Sequence, residues 1–211
     1  AKGVALEMSG KAIRPAGRTK HRDQPPSEAA ARLYNAGLQL QAQGRLPDAA
    51  DAFARAAKQA PRFFDAPRAL AFVLMQAGRL DNAVGAFETA LKLRPDDTEC
   101  LIGITQILRR ARPQGYQPTL ERRLLTLFAS EAVKHQDLAL VAALLLKQKH
   151  PLPENDAPPP KALLTDPLLH RLLERAVLVD REFELLLTRL RHDLLLAPSA
   201  LRLPRPLRYA L

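Results

Sequence analysis

A 34-residue repeat is the feature that most restricts how this chain can fold. Gly44 and Gly78 stand 34 residues apart, and the residues around them match at the same spacing. The matching pairs are Gly37 and Ala71, Leu40 and Leu74, Leu46 and Leu80, Ala49 and Ala83, Phe53 and Phe87, Ala56 and Ala90, and Pro61 and Pro95. Self-similarity at a fixed period of this length is the signature of a stacked repeat structure.

The residue types within each copy predict two helices that cross closely. Small residues stand where two backbones must approach, and the matched phenylalanines, Phe53 and Phe87, fill the space between adjacent helices. The matched glycines, Gly44 and Gly78, supply the left-handed residue that ends the first helix. The matched prolines then stop the second helix. Each copy is therefore expected to be a helical hairpin.

This pattern resembles the tetratricopeptide repeat, which implies antiparallel helix pairs stacked into a superhelix. The sequence departs from the family near the start of the first helix. The usual aromatic residue there is Leu33 in one copy and Pro67 in the other. Pro67 suits a first helical turn, and we expect Asp65 to cap it.

A third copy begins at Thr98 and is degenerate. Its apolar spacing continues the pattern of a first helix, but Arg112 stands where the glycine would recur. We expect the second helix of this copy to be re-spaced to about residues 118–133. A further helix is expected over about residues 137–149.

Composition favours an all-α chain: a solenoid of two clear repeats and a degenerate third, then extra helices and a C-terminal helical pair. Aromatic residues make up 5% of the chain, and 18 prolines outnumber 9 glycines, which argues against a sheet-rich fold. We expect Asp166 to start one C-terminal helix and Asp180 to cap the next. The predicted units are a disordered basic tail over 1–26, a helical repeat unit over 27–149, a proline-rich linker over 150–160, and the helical pair with its tail over 161–211.

The formal net charge is +10, and the excess lies in the two ends of the chain. Basic ends keep nucleic-acid binding open as an alternative, although residues 1–24 contain no aromatic ring to stack on a base. The longest apolar run, residues 138–146, is shorter than the ~20 residues that span a bilayer. The N-terminus also lacks the apolar region of a secretory signal. We therefore expect a cytoplasmic protein without a membrane partner.

Motifs for catalysis are absent: there is no glycine-rich phosphate loop, nucleophile elbow or paired-histidine motif. We expect no enzyme activity, cofactor or metal, and a core position for Cys100. Asp166, His170 and Glu174 share one helical face. They fit either a metal or acid–base cluster, or a solvated polar stripe with a His170–Glu174 surface pair. A second cluster fits either an acidic or phosphate-bearing partner or a solvated face: Arg109, Arg110, Arg112, Arg122 and Arg123.

The resemblance to the tetratricopeptide repeat implies a concave groove lined by the first helix of each copy. The groove-facing positions, carried over copy by copy, are Tyr34, Leu38, Gln41, Arg68, Phe72, Met75, Gln106 and Arg109. This mostly apolar set with a basic edge suits a partner helix or an extended peptide. The alternative occupant is the chain's own C-terminal helices. The carboxylate-clamp version of the repeat needs Lys and Asn where Tyr34 and Leu38 stand, so binding of chaperone tails is disfavoured.

A second resemblance covers most of the chain. The order of repeats, helical pair, proline-rich break and leucine-rich segment at 163–169 is similar to the N-terminal region of certain bacterial proteins. In those proteins such repeats precede a methyltransferase that uses S-adenosylmethionine. We expect a non-enzymatic protein-interaction scaffold that binds a partner or a second copy. The alternative is an accessory region of such a methyltransferase, for substrate docking or dimerisation.

Overall fold

A computed structural model describes residues 26–152, 160–177 and 180–196, the last four of these by their backbone alone. All of the predicted basic tail except Pro26, most of the proline-rich linker and the arginine-bearing C-terminal tail lie outside the described residues. Within the described ranges every regular element is helical and no strand occurs. The prediction of an all-α fold is confirmed.

Ten α-helices and one 3-10 helix make up the described ranges. They are α1 (Glu28–Ala42), α2 (Leu46–Gln59), α3 (Asp65–Gln76), α4 (Leu80–Leu93), α5 (Thr98–Leu108), α6 (Pro118–Phe128), the 3-10 helix (His135–Leu138), α7 (Ala139–Lys149), α8 (Lys161–Leu164), α9 (Pro167–Arg175) and α10 (Arg181–Leu196).

The first four helices form the two predicted hairpins. α1 packs against α2 and α3 against α4, while α2 and α4 each pack against the helix that follows. Gly44 and Gly78 have φ angles of 75° and 74°, the left-handed conformation that glycine adopts without strain. Phe53 and Phe87 are completely buried. The 34-residue spacing therefore corresponds to one hairpin per copy, as predicted.

The buried phenylalanine rings touch the backbone of a neighbouring helix. A Cβ atom added at Gly37 would lie 2.7 Å from Cε1 of Phe53, and one added at Gly103 would lie 2.5 Å from Cζ of Phe87. The first contact joins the two helices of one hairpin, and the second joins α4 to α5. Glycine is required at both points because no larger side chain fits between ring and backbone.

Of the three aspartates predicted to start or cap a helix, two do so. Asp166 accepts the backbone N–H two residues on at 2.8 Å, and Asp180 accepts the one three residues on at 3.2 Å. The prediction that Asp65 caps α3 is wrong. Phe64, buried and with a right-handed helical backbone, takes the cap position. Asp65 is the first helical residue, and its carboxylate binds Arg68 at 2.9 Å.

The third copy begins as predicted with α5 but does not close into a third hairpin of the same kind. α6 starts at Pro118 as expected and ends at Phe128, not near residue 133. It packs mainly against α9 and less against α7. The next helix ends at Lys149 as predicted, after a 3-10 turn over His135–Leu138.

α9 and α10 are the predicted C-terminal pair, preceded by the single turn of α8. The buried face of α9, with Leu168 and Leu172, packs against α6 and α7. α10 buries Phe183 and is tied to α7 by Lys147, whose Nζ lies 2.7 Å from Oδ2 of Asp180.

We expect Gly37→Ala to lower the free energy of unfolding by about 1–3 kcal/mol, because the new methyl group overlaps the ring of Phe53. Gly85→Ala is the matched control. Gly85 is an exposed helical residue whose added Cβ meets nothing within 4 Å, so alanine should leave stability unchanged or raise it by up to about 1 kcal/mol. Urea unfolding followed by circular dichroism measures both. Equal effects at the two glycines would contradict the contact.

Candidate functional site

Matching positions on α1, α3 and α5 form the surface that the sequence singled out. Residues at i, i+4 and i+7 share one face of a helix, and the 34-residue spacing repeats that face on each first helix. We name this surface the A-helix face. It comprises Tyr34, Leu38 and Gln41 of α1, Arg68, Phe72 and Met75 of α3, and Ile102, Gln106 and Arg109 on and just after α5.

Two aromatic residues of this face rest on buried rings. The ring of Tyr34 lies 5.4 Å from that of buried Phe53 and 5.1 Å from that of half-buried Phe63, centroid to centroid. The ring of Phe72 lies edge-on to that of Phe87 at 5.1 Å. Both side chains are half-buried. They are held in place by core packing, so they present a fixed apolar surface, and truncating them would also cost stability.

Arg68 connects neighbouring helices across the A-helix face. Its Nη2 lies 2.9 Å from Oδ1 of Asp65, and its Nη1 lies 2.6 Å from Oε2 of Glu99 at the start of α5. Burial, and then the carboxylate of Asp65, raise the pKa of the Tyr34 phenol. The expected basic edge is therefore smaller than predicted, since two carboxylates neutralise Arg68 and leave Arg109.

The remaining members are more accessible. Leu38 is 43% exposed, Gln106 and Arg109 are exposed, and the other predicted members, Gln41 and Met75, are half-buried. Ile102, 39% exposed, was missed by the sequence reasoning. The repeat spacing could have identified Ile102, because it follows Arg68 by 34 residues.

The structure separates Asp166, His170 and Glu174 and contradicts both interpretations of them. Asp166 is 3% exposed, so it is not part of a solvated stripe. Nε2 of His170 lies 2.7 Å from the carbonyl oxygen of Leu164, and Glu174 pairs with Arg171 at 3.2 Å. Asp166 is the N-cap of α9, whereas His170 and Glu174 each bind a different partner.

Asp166 instead belongs to a buried ionic cluster that joins three helices. Its Oδ2 lies 2.8 Å from Nζ of Lys149 and 2.8 Å from Nε2 of His150. Lys149 also lies 2.7 Å from Oε1 of Glu121, which accepts a hydrogen bond from Tyr116. Burial alone would raise the pKa of Asp166, but hydrogen bonds from Lys149 and His150 outweigh it and hold that pKa below its usual range. The cluster ties the ends of α6, α7 and α9 together.

The remaining candidates from the sequence are Cys100 and the arginine cluster. Cys100 is buried as predicted, and burial raises the pKa of its thiol, so the thiol stays protonated. Arg123 of the arginine cluster is bound to Glu88, with Nε 2.6 Å from Oε1, while Arg109, Arg110, Arg112 and Arg122 are exposed.

In the part of the chain that the structure describes, no three His, Cys, Asp or Glu side chains converge as metal ligands would. The described helices also include none with the length and apolar character needed to cross a membrane.

Comparison with known families identifies the repeat. A family model described as tetratricopeptide repeat matches residues 40–107, from the end of α1 through most of α5. This repeat is a non-catalytic helical fold that generally mediates protein–protein interaction. No curated protein matched the chain, and the resemblance to methyltransferase-associated proteins stays a prediction.

We expect Asp166→Asn to lower the free energy of unfolding at neutral pH by about 1–3 kcal/mol, because it leaves buried donors facing an amide. The lowered pKa of Asp166 means that its stabilisation is present above the unfolded-state pKa of about 3.9. It is lost as pH falls through the folded-state value. Urea unfolding between neutral and acidic pH should thus show a shallower loss of stability for the variant than for the wild type. Parallel curves would contradict the cluster's role.

Proposed function

We propose that this chain, which carries tetratricopeptide repeats over residues 40–107, is a non-enzymatic scaffold that holds a segment of a partner protein on its A-helix face. One observation carries the proposal. Three successive first helices present equivalent positions, with Leu38 and Ile102 exposed on a surface that buried rings support from below. A rigid apolar face of this kind lowers the cost of ordering a bound segment.

The chemistry of the face favours an amphipathic helix or a short extended peptide. Tyr34 and Phe72 supply fixed apolar area, and Met75 supplies a flexible side chain that adapts to those of a partner. Gln41 and Gln106 supply hydrogen bonds to the segment's polar edge. With Arg68 already neutralised by two carboxylates, a strongly acidic segment has little advantage on this face.

The packing of the C-terminal helices supports a partner, not self-coverage, as the occupant. α9 lies mainly against α6 and α7, beyond the last repeat. Leu38 on α1 and Gln106 on α5 remain exposed. In this proposal residues 27–149 form the binding unit, and the helices from residue 161 onward close its end.

Site-specific photo-crosslinking in cells tests the A-helix face. A benzoylphenylalanine residue replaces Leu38 in one variant and Gln106 in another, and replaces Arg55, exposed on α2, in the control. We expect one discrete adduct of the same mass from positions 38 and 106 and none from position 55. Mass spectrometry then identifies the attached protein.

A second change in the same variants separates binding from chance collision. Ile102→Asp places a charge on the exposed apolar part of the face, so it should abolish the adduct formed at position 38. The control substitution, Ala54→Asp at an exposed site of α2, should leave that adduct intact. Adducts of equal yield at all three positions, or adducts insensitive to Ile102→Asp, would refute the proposal.

A further inference from the structure

A cavity of about 320 Å³ opens between α4, α5 and α6, away from the A-helix face. Four apolar side chains form its floor: Leu91 of α4, Leu101 and Ile104 of α5, and Leu127 of α6. Cavities of this size accept a large apolar side chain or a small ligand.

The cavity lies where the repeat register breaks. A regular third hairpin would pack its second helix against α5, as α4 packs against α3. Here Arg112 replaces the turn glycine and a longer connector leads to Pro118, so α6 moves toward α7 and α9. Arg123 spans the resulting gap and holds Glu88 at 2.6 Å.

The rim of the cavity is positively charged. Arg123 and Glu88 neutralise each other, whereas Lys92 and Arg122 also line the cavity and are exposed. Within the described ranges neither of these two side chains has a carboxylate partner. Two free cations above an apolar floor favour a ligand that is both acidic and apolar.

This surface is distinct from the A-helix face although the two share α5. Helical periodicity places Leu101 and Ile104 on one side of α5 and Ile102 and Gln106 on the opposite side. The first two residues are buried under the cavity, whereas the latter two are exposed. A ligand in the cavity leaves the A-helix face free.

We propose that this cavity binds an acidic peptide segment of a partner protein, with one large apolar side chain inserted between α4 and α6 and carboxylates on Lys92 and Arg122. The chain's own ends do not fit, because residues 1–24 carry a net charge of +4 and residues 197–211 contain three arginines and no acid. The connector at 153–159 is acidic but contains no large apolar side chain. An acidic segment with a leucine or phenylalanine matches both the rim and the floor.

The probe is a fluorescein-labelled peptide, Gly-Asp-Glu-Glu-Leu-Phe-Glu-Asp-Gly, with a control peptide in which Ser-Gly replaces Leu-Phe. Fluorescence anisotropy with the full chain should detect the first peptide and not the second. Lys92→Glu with Arg122→Glu should weaken binding at least about tenfold. The matched control, Arg55→Glu with Lys58→Glu on exposed sites of α2, changes the net charge equally and should have less than about a threefold effect.

Methyl NMR locates the peptide. We expect shifts at Ile104 and Leu127, which line the cavity, and none at Ile102 and Leu38. Shifts confined to Ile102 and Leu38 would refute the cavity while favouring the A-helix face, so the two proposals fail separately. Absence of binding, or equal loss in the two double variants, would also refute the cavity. So would binding of a labelled single-stranded RNA in place of the peptide, because phosphates would then occupy the rim.

Discussion

The contact of a buried phenylalanine ring with a glycine backbone is the constraint on which the rest of the structure depends. Phe53 lies against Gly37, and Phe87 lies against Gly103, at distances that leave no room for a Cβ atom. Such contacts fix how closely neighbouring helices cross. Because Phe87 belongs to the second repeat and Gly103 to α5, the same device that closes a hairpin also carries the stack forward. The contact at Gly103 thus joins the second repeat to the helix that begins the third copy.

Local signals predicted the repeat region well because the interactions there are local. Gly44 and Gly78 mark the turns, and the buried phenylalanines recur at the same interval. Each of these residues acts on a neighbour in its own hairpin or the next one, so periodicity alone contains the information. The same 34-residue spacing also assigns Ile102 to the A-helix face. Asp65 shows the limit of such local signals, because the cap position of α3 is taken by Phe64, one residue earlier.

Beyond α5 the determinants are distant in sequence and could not be read from spacing. The path of α6 depends on α9, which lies about 50 residues away and offers a leucine face to cover. The position of Asp166 depends on Lys149 and His150 in another helix. A helical wheel cannot distinguish this buried aspartate from a solvated one, because it contains no information on which helix packs opposite. The cavity under Lys92 and Arg122 is a consequence of the same long-range packing.

A double-mutant cycle between Gly103 and Phe87 tests the stacking contact most directly. Gly103→Ala alone should destabilise the chain, because its methyl group would overlap the ring of Phe87. In a Phe87→Leu background the ring is gone, and the same change should cost much less, with a coupling energy of about 1 kcal/mol or more. Additive effects within about 0.3 kcal/mol would contradict the contact between the second repeat and α5.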